Sequence, residues 1–228
     1  MNIIIATHKD YDIKNIDKIK QEFKQHTFYL ISKKEDLNIK NIQKINPRYI
    51  FFPHWSFYIP KNIYEKYECI IFHLGDLPFG RGGSPLQNLI INGIYKSKIS
   101  ALRASDVLDG GDIYLKYNII FKYFRAQVIY EKISKIIFTK LIPKILSSNI
   151  KPYQQKGEIF VFKRRTPEQS DMKTLENINI RKIYDFIRML DAKDYPKAFL
   201  KIDNLKIQFF KASIKDNKIN AKVIINEE

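Results

Sequence analysis

Apolar and polar positions along this chain switch between two periods. NIIIA (2–6) is a short unbroken apolar run, whereas in IKNIDKIKQEFKQH (13–26) Ile13, Ile16, Ile19 and Phe23 recur at helical spacing and share one face. TFYLIS (27–32), YIFF (49–52) and ECIIFH (68–73) read as further strands, with the polar stretch at 38–44 and KNIYEKY between them. Strands separated by helices predict a parallel α/β sheet with right-handed crossovers. Ligands of such sheets sit beyond the carboxyl ends of the strands. His54, Trp55 and Ser56 follow one such end and His73 closes another, which marks the expected rim.

Further on, SPLQNLIING (84–93) predicts a helix with Ser84 as its cap and Pro85 in its first turn. KISALRASD (98–106) predicts a strand entering a loop, and DIYLKYNIIF (112–121) alternates as the next strand. An amphipathic stretch from 124 to about 146 predicts one long helix. After SSNIKPYQQKG the pattern changes to EIFVFKRRTPE, a helical IRKIYDFIRML (180–190) and the short strands FLKI, KIQFFKA and KVIIN. This change places a boundary near 150, between a domain at 1–150 and a small β-rich unit with one helix at 151–228.

Composition narrows the class. A hydrophobic content of 45% with 14% aromatics excludes a disordered chain. No run approaches the roughly 18 apolar residues of a membrane span, and MNIIIATHKD begins as a strand instead of a signal peptide. The single Cys69 permits no internal disulfide, which suits a reducing cytoplasm, and its place before two isoleucines marks it as a small buried side chain. Four histidines and one cysteine, all scattered, provide no metal-ligand spacing. His8 and His26 stand outside any motif. The net charge of +16 invites a nucleic-acid partner. Yet only eight of the 40 basic residues are arginine, and the lysines are spread evenly, as on a solvated surface.

The glycines are not spread evenly. Seven of the eight lie between 75 and 111, four of them within FHLGDLPFGRGGSPLQ (72–87). Glycine is needed where φ is positive or where another group approaches the main chain closely. His73 opens this cluster, and LDGGD brings Asp109 from a later loop. A histidine beside a carboxylate forms a general-base pair in which the carboxylate fixes the tautomer and stabilises the imidazolium. The alternative is a surface histidine and a turn aspartate.

FHLGDLPFGRGGSPLQ followed by LDGGDIYLK resembles the formyltetrahydrofolate-dependent formyltransferases, with their pattern Asn-x-His, Leu-Pro, Arg-Gly, Pro-x-Gln and then Leu-Asp-x-Gly-Asp. The resemblance implies a Rossmann-like, mostly parallel sheet with helices on both faces, and 10-formyltetrahydrofolate as co-substrate. It implies that His73 assists deprotonation of an attacking amine and that Asp109 orients His73. Folate would lie against Trp55 and Ser56, Leu77 and Pro78, and Arg103 with the loop of Ser105, Asp106, Val107 and Leu108. Arg81, Gly82, Gly83 and Gln87 would meet the acceptor. One position departs from the pattern: Ile71 stands where the family has asparagine. That amide donates to the developing oxyanion, and one such donor can be worth roughly 3 kcal/mol of barrier. Gln87, Asn88 and backbone amides are the candidates to replace it.

FKRRTPEQSDM and the later YPKAF resemble the tail of sugar-nucleotide N-formyltransferases, and the core resembles the variants that formylate 4-amino sugars of the pseudaminic acid type. The acceptor implied is a nucleotide-linked amino sugar of surface-glycan biosynthesis, with Lys163, Arg164 and Arg165 either gripping its diphosphate or forming a solvated strand edge. No specific nucleic acid is implied, because the roughly 78 residues after 150 look few for the domain with which a transfer-RNA formyltransferase grips its acceptor stem. Formylation of methionyl-tRNA or of a purine precursor stays open as the alternative, as does a silent binding protein motivated by Ile71. An oligomer is compatible with all of these.

Overall fold

The computed structural model describes residues 1–227. In chain order, β1 (Asn2–Ala6), α1 (Asp10–Glu22), β2 (Thr27–Ile31), α2 (Ile39–Ile45), β3 (Tyr49–Phe52), α3 (Lys61–Tyr64) and β4 (Glu68–Leu74) realise the predicted alternation. They are followed by β5 (Phe79–Gly82), α4 (Pro85–Ile91), β6 (Lys96–Arg103), β7 (Ile113–Ile120), α5 (Ala126–Ile136), α6 (Ile142–Ser147) and β8 (Phe160–Phe162). The chain closes with α7 (Ile180–Leu190), β9 (Ala198–Ile202), β10 (Leu205–Lys215) and β11 (Lys218–Glu227). Among the described residues, no helix is long and apolar enough to cross a membrane.

The residues gather into two compact units. The first holds Met1–Arg81, Ser97–Ile119 and Glu131–Val161, and the second holds Gly82–Lys96, Ile120–Tyr130 and the chain from Phe162 on. In the first unit, one mixed, mostly parallel sheet runs β2-β1-β3-β4-β6-β7. β1 pairs in parallel with β2 and β3, and β3 with β4, because each is reached through a helix. The unbroken apolar runs of β1 and β3 bury Ile4, Ala6, Ile50 and Phe52 with Ile42 and Ile63, which belong to the flanking helices. β6 is antiparallel to β4, pairing His73 with Ser100 and Ile70 with Arg103.

The stretch expected as one long helix contains a π-helical turn (Ile137–Leu141) between α5 and α6. Pro143, in the first turn of α6, has no N–H to give to the Thr139 carbonyl, and the winding widens just ahead of it. Ser84 does not cap α4 as expected. Its backbone is left-handed, at φ 49°, and its side chain makes no cap bond. Its hydroxyl instead accepts the Arg165 N–H at 3.1 Å.

In the second unit, β9, β10 and β11 form an antiparallel sheet in the order β11-β10-β9. Asn179 caps α7 by accepting the Lys182 N–H at 2.9 Å. Tyr184, Phe186, Ile187, Met189 and Leu190 of α7 are buried, and so is Arg188. A fully buried guanidinium needs compensation. Arg188 donates to Asp185 at 2.6 Å and to the carbonyls of Phe121 and Phe124 at 3.0 and 2.7 Å.

Candidate active site

Strand alternation puts Ile71 and His73 on the same face of β4. His73 and Asp109 meet there, with Nδ1 of the imidazole 3.3 Å from Oδ2 of the carboxylate and each side chain less than a tenth exposed. On the other side of the ring, Nε2 stands 2.6 Å from the Gly80 carbonyl oxygen. Both ring nitrogens thus face acceptors, a carbonyl and a carboxylate, and a neutral imidazole has one proton to give to either. Gly75 makes room for the ring, since a Cβ there would lie 3.0 Å from the imidazole.

Asp109 does not come from a neighbouring strand end of the same sense. Because β6 is antiparallel, the loop after it starts beside Cys69 and Ile70, where the Ala104 N–H bonds the Cys69 carbonyl at 2.8 Å. The 105–109 segment then hooks back to His73. The hook is tight: Ser105 Oγ donates to the Val107 carbonyl, Gly110 N–H donates to the same carbonyl, and Asp109 itself is left-handed at φ 52°. A Cβ on Gly111 would lie 1.9 Å from the Arg103 carbonyl oxygen, so only glycine can follow this path.

The residues expected to meet folate all lie in the first unit. Val107 and Leu108, at 53% and 69% exposure, leave an apolar tip uncovered on the hook, and Phe57 and Tyr58 are exposed beside Trp55 and Ser56. The Tyr64 phenol sits above its ordinary range, through desolvation first and then through Tyr58 and the charge of Asp106. Leu77 is buried with Leu102 and Ile113, and Ile71 packs against them. The Leu77–Pro78 bond is cis. Arg103 is held by Glu68 at 2.8 Å. Just before Leu77, Asp76 loses some solvation by burial, but hydrogen bonds from Lys116 and Lys98 outweigh that and hold its carboxyl below the usual range.

Arg81 donates twice to Gln155 Oε1, at 3.1 and 2.8 Å. The same side chain donates from Nε2 to the carbonyls of Asp109 and Gly111, both at 2.8 Å. Gln155 thus ties Arg81 to the Asp109 hook. The sequence reading missed it, because SSNIKPYQQKG carries the polarity of a linker. It also missed Asp12, a fully buried carboxylate that accepts Thr7 Oγ1 at 2.9 Å and lies 3.0 Å from His54 Nδ1. The left-handed backbone of His54, at φ 46°, has no one-residue signature.

Gly82, Gly83, Gln87, Lys163, Arg164 and Arg165 lie in the second unit. A Cβ on Gly83 would lie 2.5 Å from Arg164 Cβ, so glycine lets the two segments touch. Gln87 donates to Tyr130 Oη and the Met189 carbonyl, and Asn88 donates to the carbonyls of Gly83 and Lys163. Both amides considered as substitutes for the missing asparagine therefore have their donors engaged within this unit. Burial pushes the Tyr130 phenol up to about 12.

Residues 167–226 match the family model of the methionyl-tRNA formyltransferase C-terminal domain. The chain is 48% identical to the solved methionyl-tRNA formyltransferase from Clostridium thermocellum, covering all of both chains with a TM-score of 0.96. It is 30% identical over 180 residues to that of Thermodesulfovibrio yellowstonii and 42% identical over 85 residues to that of Rickettsia felis. These matches span 76% and 36% of this chain but only 58% and 28% of those relatives. A 4-N formyltransferase from Francisella tularensis shares the fold at a TM-score of 0.69 with 15% identity. These findings overturn the expected nucleotide-sugar acceptor and its glycan role, together with the exclusion of a nucleic-acid partner. The stretch after 150, judged too short for such a domain, holds the 167–226 match to its family model.

Proposed function

Since the chain belongs to the formyltransferase family, we propose that it moves a formyl group from 10-formyltetrahydrofolate to the α-amine of methionyl-tRNA. The observation that carries this reading is the 48% identity over the full length of the Clostridium thermocellum enzyme. Bound 10-formyltetrahydrofolate supplies the formyl carbon. The uncovered apolar tip of Val107 and Leu108, near the exposed rings of Phe57 and Tyr58, suits a flat pterin, and Trp55, Ser56, Leu77, Pro78, Arg103, Ser105 and Asp106 complete the set assigned to it. The new N–C bond forms as the bond between the formyl carbon and the folate nitrogen breaks, so that tetrahydrofolate leaves, its nitrogen gaining a proton in place of the one the amine gives up. His73, swung off the Gly80 carbonyl, takes the amine proton on Nε2 while Asp109 stabilises the imidazolium through Nδ1.

The test is incubation of the full chain with methionyl-tRNA and 10-formyltetrahydrofolate, with the released aminoacyl group weighed by mass spectrometry. A gain of one formyl group is expected. His73→Ala and Asp109→Ala should each lower turnover by at least about a hundredfold with unchanged circular dichroism, since general-base assistance is typically worth 10²–10⁴. A folded wild-type chain that leaves methionyl-tRNA unformylated would sink the reading.

A further inference from the structure

Arg165 is a half-buried cation whose surroundings do not neutralise it. Its Nη2 donates to the Gln169 carbonyl, its guanidinium lies 5.9 Å from the centre of the Phe186 ring, and its Nε is shielded from solvent without a hydrogen-bond partner. No carboxylate pairs with it among the described residues. Burial holds its pKa below the ordinary arginine value, the sign of a charge that the protein leaves under-solvated. A carbonyl and a ring face compensate such a charge less well than an anion does.

Two hydroxyls accompany it. Ser84 Oγ accepts the Arg165 N–H at 3.1 Å, and Tyr195 Oη reaches the same oxygen at 3.4 Å. The segment is also held along its length: Gly83 N–H bonds the Phe162 carbonyl at 3.1 Å, and Asn88 bridges the carbonyls of Gly83 and Lys163. Lys163, Arg164 and Arg165 are therefore presented on a fixed backbone, with Lys163 and Arg164 exposed on either side of the fold's own bonds. A merely solvated strand edge has no need of such fixing.

We propose that Arg165, with Ser84 and Tyr195, is a phosphate-binding subsite that grips one backbone phosphodiester of the RNA acceptor. A guanidinium edge matches phosphate oxygens in a fixed fork, and Ser84, whose oxygen accepts from both Arg165 and Tyr195, has its own hydroxyl hydrogen left to give to the same anion. The assignment deepens the transfer-RNA reading and rests on it for the identity of the anion.

The experiment measures binding of methionyl-tRNA and, separately, of inorganic phosphate to the full chain, over a series of salt concentrations. Arg165→Gln should weaken tRNA binding about tenfold and reduce the slope of log affinity against log salt by about one, the signature of one lost phosphate contact. Tyr195→Phe and Ser84→Ala should each weaken binding by a few fold, and they carry the test if Arg165→Gln does not fold. Lys140→Gln, an exposed lysine outside the site, is the control for net charge. Equal losses in Arg165→Gln and Lys140→Gln would overturn the subsite. So would an Arg165→Gln effect confined to inorganic phosphate, which would mark a small-anion site. If tRNA binds through Arg165 but is never formylated, the catalytic reading fails while the subsite stands.

Discussion

A methyl group added at Gly111 would sit 1.9 Å from the Arg103 carbonyl oxygen, so the 105–109 hook must open before alanine can be accommodated. Gly93 is the contrasting case: it is left-handed, at φ 72°, but nothing stands within 4 Å of the added atom. Overpacking costs typically 1–3 kcal/mol and sometimes more, and here the obstacle is main chain. Left-handed strain alone costs roughly 1–2 kcal/mol, partly offset by a stiffer unfolded chain. Denaturant unfolding should therefore show Gly111→Ala losing roughly 3 kcal/mol and Gly93→Ala about 1 kcal/mol or less. Equal losses would mean that the hook relaxes freely. The glycine cluster, His73 and Asp109 were legible in the chain because few residue types tolerate left-handed backbone or near-contact, and few titrate near neutrality. Asp12 was not legible: a carboxylate in the first turn of a helix ordinarily faces water, and only the fold brings Thr7 and His54 to it.

At the scale of elements, strands and helices followed from period, but direction did not. KISALR reads the same whether its strand runs parallel or antiparallel to its neighbour, and the antiparallel answer decides how Asp109 reaches His73. Gln155 is the other hidden part, since its four bonds join groups far apart in sequence. Removing it leaves Arg81 without an acceptor and two hook carbonyls without a donor. Leaving a buried polar group unsatisfied costs about 1–3 kcal/mol, felt here chiefly as a loosened hook. Gln155→Ala should lower turnover about tenfold or more while the chain stays folded. In combination with Asp109→Ala it should add little, because both act through the same histidine. Full additivity in that cycle would separate Gln155 from the pair.

For the whole molecule, the even spread of lysine encouraged a bland reading of the +16 charge. Spread and function are compatible when a few cations, held in place, do the discriminating and the rest only attract. Acid sensitivity belongs to the same scale. Asp76 titrates below the usual carboxylate range in the folded chain, so it contributes stability above that range and loses it as pH falls through the lowered value. Its side chain is nearly half exposed, which keeps the effect small. The Tm of Asp76→Asn should fall short of wild type at neutral pH, and the gap should close as pH falls from about 4 through the lowered value. A gap that persists in acid would point away from charge. The π-helical turn at Ile137–Leu141 has a consequence for kinship. Such a turn absorbs a single extra residue without rotating the helix on either side. Relatives can gain or lose one residue here with their cores unchanged, and an alignment of this helix should place its one-residue gap within that turn.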